Sequence, residues 1–239
     1  MCAQWLAAGG ITKVGSFWEQ GSSGRDYADY FRDTAGALGL TVVREVKLEP
    51  NPKGLQDDLA MMRDLGVEGL YYGGYGYATF HFAEALRALG WDPPRVMGTA
   101  FMFYSNSNRW AEGLEGWHGI DQLGQDGANP NYEAMTARFE KRFGRSTRNV
   151  VVALAYDTAR VAIHGIGNAA IPTPRHVKEG MERIRWMPAT NGGPGTYIQF
   201  GPHDRKGYKG DFLTIRHLRN GELEFNGYHR PEWPSNSSD

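Results

Sequence analysis

The chain has 239 residues, about one and a half times the usual ~150-residue domain, which is long enough to bury a sizeable core. Apolar residues make up 41% of it and charged residues 22%, so wholesale disorder is excluded. The formal net charge of −1 provides no overall attraction to nucleic acid or to an anionic membrane surface. The single cysteine, Cys2, excludes an intramolecular disulfide and a cysteine-based zinc cluster.

Neither end of the chain has the pattern of a targeting or membrane segment. No stretch reaches the ~18 consecutive apolar residues that a membrane helix needs, so no membrane span is predicted. Residues 1–10 lack a basic region and a long apolar run, and no signal peptide is predicted. Gln4 to Gly10 is typical of the last turns of a helix closed by glycine. Residues 231–239, rich in Pro, Ser and Asn, are expected to fray.

Predicted strands and helices alternate over the first half of the chain. Short β-branched or aromatic runs predict five strands, at residues 13–18, 40–46, 67–72, 95–99 and 117–122. Between them, apolar residues at helical spacing predict three clear helices and a weaker one at 110–114. Alternation of this kind is typical of βαβ units around a parallel sheet. We therefore predict a complete doubly wound α/β lobe over residues 11–123.

After residue 124 the pattern changes from alternation to a run of helices. Three successive helices are predicted to begin near Asn131, Val150 and Pro174, with no strand between them. A strand at 197–200 and a hairpin follow, and the hairpin strands are joined through Asn220-Gly221, a strong two-residue turn signal. Each helix has an apolar face that needs a partner. Because little sheet is predicted here, the helices are expected to belong to an incomplete second lobe.

Four stretches of the chain resemble one known family when they are taken in order. They are Ser22-Ser23-Gly24-Arg25-Asp26-Tyr27 after the first strand, the Tyr-Tyr-Gly-Gly-Tyr run at 71–75, Leu89-Gly90 followed by Met97-Gly98, and residues 200–208 before the hairpin. Their order and spacing over roughly residues 11–228 carry the likeness. The chain resembles the leucine/isoleucine/valine-binding family, the type I periplasmic substrate-binding proteins of ABC transporters.

The resemblance implies two α/β lobes joined by three crossover strands, with a small solute in the cleft between them and an ABC permease as partner. Family members begin with a signal or lipoprotein leader and about half of the first lobe, whereas the likeness here starts at the crossover into the second. We therefore expect an N-terminally truncated chain that binds solute weakly or not at all. The family location is periplasmic or extracytoplasmic, while a true start at Met1 predicts a cytoplasmic protein. In the order that the family uses for its lobes, the implied domains are a remnant of the first lobe (1–10), the complete second lobe (11–123), a helical return to the first lobe (124–195), and the last crossover strand, hairpin and tail (196–239). The incomplete lobe of helices described above is therefore the first lobe of the family.

Candidate ligand-binding residues lie where predicted strands end, because ligands of open parallel sheets bind beyond the carboxyl ends of the strands. Aromatic and hydroxyl-bearing side chains at these ends suit a small-molecule site with apolar walls and a few polar contacts. The resemblance adds Tyr156, where the family has a tyrosine that faces the cleft. Structural roles compete with binding: serines cap helices, Trp18 can pack under the next helix, and Tyr71 or Tyr72 belongs in the core. The candidates at strand ends are Trp18, Glu19, Ser22, Ser23, Tyr75, Tyr77, Thr99 and Phe101.

One departure from the resembled family bears on the ligand. Its branched-chain amino-acid binders have a glutamate just after the Met-Gly strand, where it pairs with the ligand ammonium. Here Thr99 and Ala100 follow Met97-Gly98. Because a buried ammonium without a countercharge is costly, an ordinary α-amino acid is disfavoured unless Glu19 supplies the charge. An apolar, aromatic or amide-type solute is expected.

Two other classes of function compete with solute transport. An enzyme needs a nucleophile and base, or a carboxylate pair, in one cleft. The seven histidines are scattered without metal-ligand spacing, and Gly73-Gly74-Tyr75-Gly76 lacks the full dinucleotide-loop spacing. No catalytic residue, metal or cofactor is therefore predicted. A ligand-sensing regulator of the same two-lobe fold, responding to an amide or amino acid, fits a chain without a leader.

Overall fold

The computed structural model describes residues 1–104, 111–123, 127–147 and 149–229. They fall into two compact units: unit 1 comprises Met1–Asp121 with Ile215–Asn226, and unit 2 consists mainly of Gln122–Thr214. The tail at 231–239 and Trp110, at the start of the weaker predicted helix, lie outside the described residues. The structure places residues 1–10 in unit 1. The four domain ranges that the resemblance implies stay predictions.

Unit 1 begins with a helix and then alternates strands with helices, as the sequence predicts. All five predicted strands are confirmed, within a few residues at their ends. Helix α5 is not predicted from the sequence, because an apolar run of five residues is too short to show a helical period. In chain order the elements are α1 (Cys2–Ala8), β1 (Lys13–Glu19), α2 (Ser22–Ala37), β2 (Thr41–Leu48), α3 (Leu55–Asp64), β3 (Gly69–Gly73), α4 (Thr79–Leu89), β4 (Arg95–Met97), α5 (Ala100–Tyr104), α6 (Ala111–Leu114) and β5 (His118–Asp121).

Unit 2 contains the three predicted successive helices, which are confirmed. They are α7 (Pro130–Phe143), α8 (Val150–Gly167) and α9 (Pro174–Met181). Asn129 and Asn149 cap the first two, since each side-chain oxygen accepts a hydrogen bond from the N–H two residues later. Among the described residues, α8 alone is long and apolar enough to cross a membrane by length and composition, with a mean hydropathy of 1.3 over 18 residues.

A small antiparallel sheet follows the helices of unit 2. Its strands are β6 (Met187–Pro188), β7 (Tyr197–Ile198) and β8 (Tyr208–Lys209), in that order across the sheet. Strands β6 and β8 are not predicted from the sequence, because two-residue strands have no detectable alternation. The predicted hairpin is confirmed as β9 (Leu213–Arg219) and β10 (Glu222–His229). Its turn residues Asn220 and Gly221 both have positive φ, 54° and 74°, as a type I′ turn requires.

The larger sheet has seven strands in the order β10-β9-β5-β4-β3-β1-β2. The pairs β1–β2, β1–β3, β3–β4 and β4–β5 are parallel. The chain is therefore a mixed α/β protein with a parallel-dominated central sheet, which confirms the predicted fold class. Because parallel strands run the same way, the carboxyl ends of β1, β3 and β4 lie at one edge of the sheet, where ligands of such folds bind.

Hydrophobic clusters cover both faces of this sheet in unit 1. On one face, Phe17 and Phe82 pack edge to face with ring centroids 4.8 Å apart, within a cluster that also includes Tyr72. On the other, the rings of Phe31 and Tyr71 stack at 3.7 Å, and Leu6 of α1 joins them. Tyr71 and Tyr72 point to opposite faces because side chains alternate along a strand. The prediction that at least one of them lies in the core is confirmed, and both are in fact buried.

Candidate functional site

The ends of β1 and β3 are linked by the buried carboxylate of Glu19, which is only 2% exposed. Its Oε1 accepts hydrogen bonds from the N–H groups of Gly76 and Tyr77, both at 2.8 Å, and from the Tyr72 hydroxyl. Its Oε2 accepts from the Tyr75 N–H. Hydrogen bonds to an ionised carboxylate are among the stronger ones in proteins. Glu19 therefore holds the loop between β3 and α4 rather than presenting a charge to solvent.

The two glycines after β3 let this loop approach Glu19 closely. A Cβ built on Gly74 would lie 2.4 Å from the Glu19 Cδ, a separation that real Cβ atoms do not show. A Cβ on Gly73 would lie 2.8 Å from the Tyr27 Cβ. A side chain at Gly74 would push the loop away from the carboxylate, and one at Gly73 would collide with Tyr27 of α2. The Gly-Gly pair thus permits the close packing of β3 and its loop against Glu19 and α2.

The loop presents two tyrosine rings to solvent. Tyr75 and Tyr77 are 48% and 49% exposed, and their ring centroids are 6.0 Å apart with an angle of 28° between planes. The Tyr75 hydroxyl donates to the Oγ of Ser23 at 3.2 Å. Each tyrosine has its own backbone N–H on Glu19. We call these two residues the tyrosine platform.

Three further candidates lie at the ends of β1 and β4. Trp18 is half-buried on β1, paired in register with Gly73 of β3. Thr99 is half-buried, and its Oγ1 is 3.1 Å from the Tyr27 hydroxyl. Ser22 is exposed as the first residue of α2, whose N-cap is Gly21 without a side-chain hydrogen bond. The predicted serine cap of this helix is therefore wrong.

Phe101 does not line a site at this edge, contrary to the sequence prediction. It is fully buried in the same cluster as Trp117. The reason is that β4 ends at Met97, two residues earlier than predicted, and α5 then turns the chain inward. Gly119 of β5 makes room for the ring, since a Cβ there would lie 2.2 Å from the Phe101 Cβ.

Tyr156, the candidate taken from the resemblance, lies on α8 in unit 2. Its ring is half-buried between two cations: the guanidinium carbons of Arg138 and Arg160 lie 5.6 Å and 5.7 Å from its centroid. Such cation–π contacts hold an aromatic ring in place. A ligand-binding role for Tyr156 stays a prediction.

The sequence did not indicate that Tyr27 and Tyr72 contact the candidate residues Thr99 and Glu19. The Tyr72 hydroxyl donates to Glu19 and also accepts the Ala78 N–H at 3.1 Å, so it is part of the loop support. A signal existed, because a tyrosine in the core needs a partner for its hydroxyl and so indicates a buried acceptor. Tyr27, one turn into α2, offered no comparable signal.

The single cysteine of the chain, Cys2, is not placed to act as a nucleophile. Burial raises the pKa of its thiol to about 11, and the Sγ donates to the Met97 carbonyl at 3.6 Å. A thiol in that state is a poor nucleophile at neutral pH. In the part of the chain that the structure describes, no group of three or more His, Cys, Asp or Glu side chains is placed to hold a metal ion.

Comparisons with known proteins identify relatives of this fold. The periplasmic binding protein family model matches residues 2–213. No curated protein matches the chain in sequence. Similar solved structures include an ABC transporter substrate-binding protein from Desulfitobacterium hafniense in complex with leucine, with a TM-score of 0.74, 18% identity, and coverage of 94% of this chain and 63% of that one.

Two further structures extend the comparison. A leucine binding protein from Thermotoga maritima has a TM-score of 0.75 and 16% identity, with coverage of 96% of this chain and 65% of that chain. An ABC transporter solute binding protein from R. palustris in complex with benzoate has a TM-score of 0.73 and 14% identity, with coverage of 95% and 61%. This chain thus spans less than two thirds of the length of each. By its match to the family model over most of its length, the chain belongs to the periplasmic binding protein family.

Proposed function

We propose that this chain is part of an extracytoplasmic solute-binding component of an ABC transporter, a binding protein rather than an enzyme. The tyrosine platform would form one wall of its solute site. The observation that carries this proposal is an exposed aromatic pair held from beneath by the buried Glu19 carboxylate, at the carboxyl edge of a parallel sheet. Rings fixed before the ligand arrives lose little conformational entropy on binding.

The proposed solute is apolar, aromatic or amide-type rather than an ordinary α-amino acid. Glu19 already accepts four hydrogen bonds, three of them from the backbone, so it is poorly placed to pair with a ligand ammonium. Thr99 and Ala100 stand where the resembled amino-acid binders have a glutamate. Similar structures contain leucine in one case and benzoate in another, so proteins of this fold accept both classes. Flat rings suit a tyrosine wall.

We also propose that these 239 residues bind solute weakly and that an ABC permease is the transport partner. The chain spans 63% of the leucine-bound relative. A solute held against one wall keeps much of its apolar surface in water, and burial stabilises by only about 25 cal/mol per Å² removed from water. Ser23, Thr99 and Trp18 are the polar and aromatic groups proposed to border the platform. The family location makes the periplasm the proposed compartment.

Calorimetric titration of the 239-residue chain with benzamide, benzoate and leucine tests the proposal. We expect benzamide or benzoate to bind more tightly than leucine, with affinity in the millimolar range. Tyr75→Ala or Tyr77→Ala should weaken binding by about 1–2 kcal/mol, the typical value for losing one aromatic contact surface. Tyr30→Ala, which removes a 67% exposed tyrosine from α2, is the matched control and should have no effect.

Two results would contradict the proposal. Saturable binding that both platform variants leave unchanged would show that the solute site lies elsewhere. Leucine binding tighter than that of either aromatic compound would show that the site accepts an ammonium despite the occupied Glu19.

A further inference from the structure

Unit 2 contains a cationic cavity that the proposed solute site does not use. It has a volume of about 500 Å³ and lies between the second half of α8 and the segment that follows α9. This volume is in the range of small-molecule sites, roughly 300–1,000 Å³. No Asp or Glu is among the described residues that line it. Its charged and aromatic lining residues are Arg160, His164, Arg183, Arg185 and Trp186.

Backbone carbonyls, and not acids, hold the two arginines that follow α9. The Arg183 Nη1 donates to the Asn168 carbonyl at 3.0 Å. The Arg185 Nη1 donates to the carbonyls of Glu182 and Ile184, at 2.6 Å and 2.9 Å, and also to that of Phe200. Each guanidinium is therefore fixed through one nitrogen. Because a guanidinium has five N–H donors on three nitrogens, each retains donors for a ligand.

The cavity keeps an excess of positive charge after its ion pairs are counted. Arg160 is balanced by Asp157, whose Oδ1 lies 3.0 Å from the Arg160 Nη1. The carboxylate of Glu182, next to Arg183 in sequence, is engaged instead by Lys178 at 2.7 Å and lies 3.8 Å from Arg205. Within the described residues, neither Arg183 nor Arg185 forms an ion pair. An anion is the ligand that this charge favours.

Trp186 adds a flat apolar surface to this cationic setting. Its side chain is 67% exposed, and its ring centroid lies 4.2 Å from that of Tyr197. Its backbone has a φ of 52°, a left-handed conformation that bulky residues rarely adopt. Conformations of this kind persist where the surrounding structure holds them, and they concentrate at functional sites. A ring-bearing ligand gains a stacking surface here.

We propose that this cavity is a second ligand site, for a phosphate ester that carries a flat ring. The phosphate oxygens would accept hydrogen bonds from Arg183 and Arg185, whose planar guanidinium groups suit phosphate recognition. The ring would lie against the Trp186 indole. All the residues involved belong to unit 2, so the inference does not rest on the solute site proposed above.

Calorimetric titration of the 239-residue chain with phenyl phosphate, inorganic phosphate and phenol tests this inference. Phenyl phosphate should bind saturably, inorganic phosphate at least tenfold more weakly, and phenol without measurable affinity. Added salt should weaken the phosphate ester because it screens the exposed charges. The double variant Arg183→Gln/Arg185→Gln should bind phenyl phosphate at least tenfold more weakly. Trp186→Asn, which places a residue that tolerates this φ, should weaken phenyl phosphate and leave inorganic phosphate unchanged.

The matched control is Arg25→Gln/Arg63→Gln, which removes the same charge from exposed positions in unit 1. It should retain the affinity of the unmodified chain. An equal loss in the control pair would show a nonspecific charge effect and overturn the proposal. Absence of phenyl phosphate binding to the unmodified chain would also overturn it. If the arginine pair is needed for folding, as urea denaturation would show, the comparison of Trp186→Asn on the two phosphates decides the question.

Discussion

Glu19 is a predicted ligand contact, but in the structure its carboxylate accepts hydrogen bonds from Tyr72 and from the loop that carries the tyrosine platform. A carboxylate at a strand end is the residue type that a ligand ammonium attracts. Its four donors come from residues 53 to 58 positions further along the chain. The parallel pairing of β1 with β3 brings them to it. Glu19 is therefore a positioning residue for the tyrosine platform.

Glu19→Gln tests this role through the stability of the folded chain. The amide replaces one accepting oxygen with an NH2 that faces backbone N–H groups. A hydrogen bond to a charged group contributes about 1.5–3 kcal/mol, and a buried donor left without a partner costs about 1–3 kcal/mol. We expect the free energy of unfolding, measured by urea denaturation, to fall by about 2–4 kcal/mol.

The control for this substitution is Glu84→Gln, the same chemical change at an exposed position of α4. It should change the free energy of unfolding by less than about 0.5 kcal/mol. A Glu19→Gln effect no larger than that of the control would mean that the loop holds its tyrosines without the carboxylate.

Helix α1 and strands β5 and β9 contact one another through a stack of three rings. The His118 ring of β5 lies 3.9 Å from that of His217 on β9, nearly parallel, and 4.3 Å from the Trp5 ring of α1. Burial, followed by repulsion from His217, lowers the pKa of His118 from 6.5 to about 4. Between those pH values the unfolded chain binds a proton that the folded chain excludes. The contribution of neutral His118 to stability is therefore fully present above about pH 6.5 and is lost as the pH falls toward about 4.

We expect the free energy of unfolding to fall by on the order of 2 kcal/mol across this window because of His118. The pKa difference alone would give a larger fall, but the ring is partly exposed to solvent, which weakens the effect. Urea denaturation at a series of pH values measures it. His118→Gln removes the titration, so its stability should depend less on pH by that amount. His81→Gln, on α4, is the control and should keep the original dependence. The same pH dependence in His118→Gln would exclude His118 as the source.

The two units of the chain differ in how much apolar surface they bury. Unit 1 has extensive clusters on both faces of its sheet. Among the residues that the structure describes, unit 2 has one buried cluster, made of Ile184, Met187, Ala189 and Ile198. Its helices also leave large apolar side chains in solvent, including Phe143 at 58% and Ile163 at 68% exposure. Local stability follows buried apolar contacts.

Hydrogen exchange of the 239-residue chain tests this difference. Backbone amides of β1, β3 and β4 should exchange slowest, near the rate set by global unfolding, because both faces of their sheet are covered. Amides of α7 and α8 should exchange at least about tenfold faster, since opening them exposes little additional apolar surface. Equal, slow exchange in both units would show that the helices of unit 2 are held as firmly as the sheet of unit 1.

Features that depend on local pattern could be predicted from the amino-acid sequence. The alternation of strands with helices up to residue 122, the three successive helices of unit 2 and the Asn220-Gly221 hairpin were all predictable. Period and turn chemistry act between residues a few positions apart, so they can be read along the chain. The burial of at least one of Tyr71 and Tyr72 was predictable from their place within a strand. The family resemblance added the fold class, which the comparisons confirm.

Which candidate side chains reach the surface at the sheet edge depends on packing between elements that are distant in the chain. Phe101 follows a strand and still lies in the core, because α5 turns it toward Trp117. Glu19 is buried beneath a loop, whereas Tyr75 and Tyr77 on that loop are exposed. A shift of one or two residues at a strand end reverses where a side chain points, and no local period determines that shift. Partners more than fifty positions apart meet only when the strands pair, so strand pairing determines which of the predicted residues lie together at this edge.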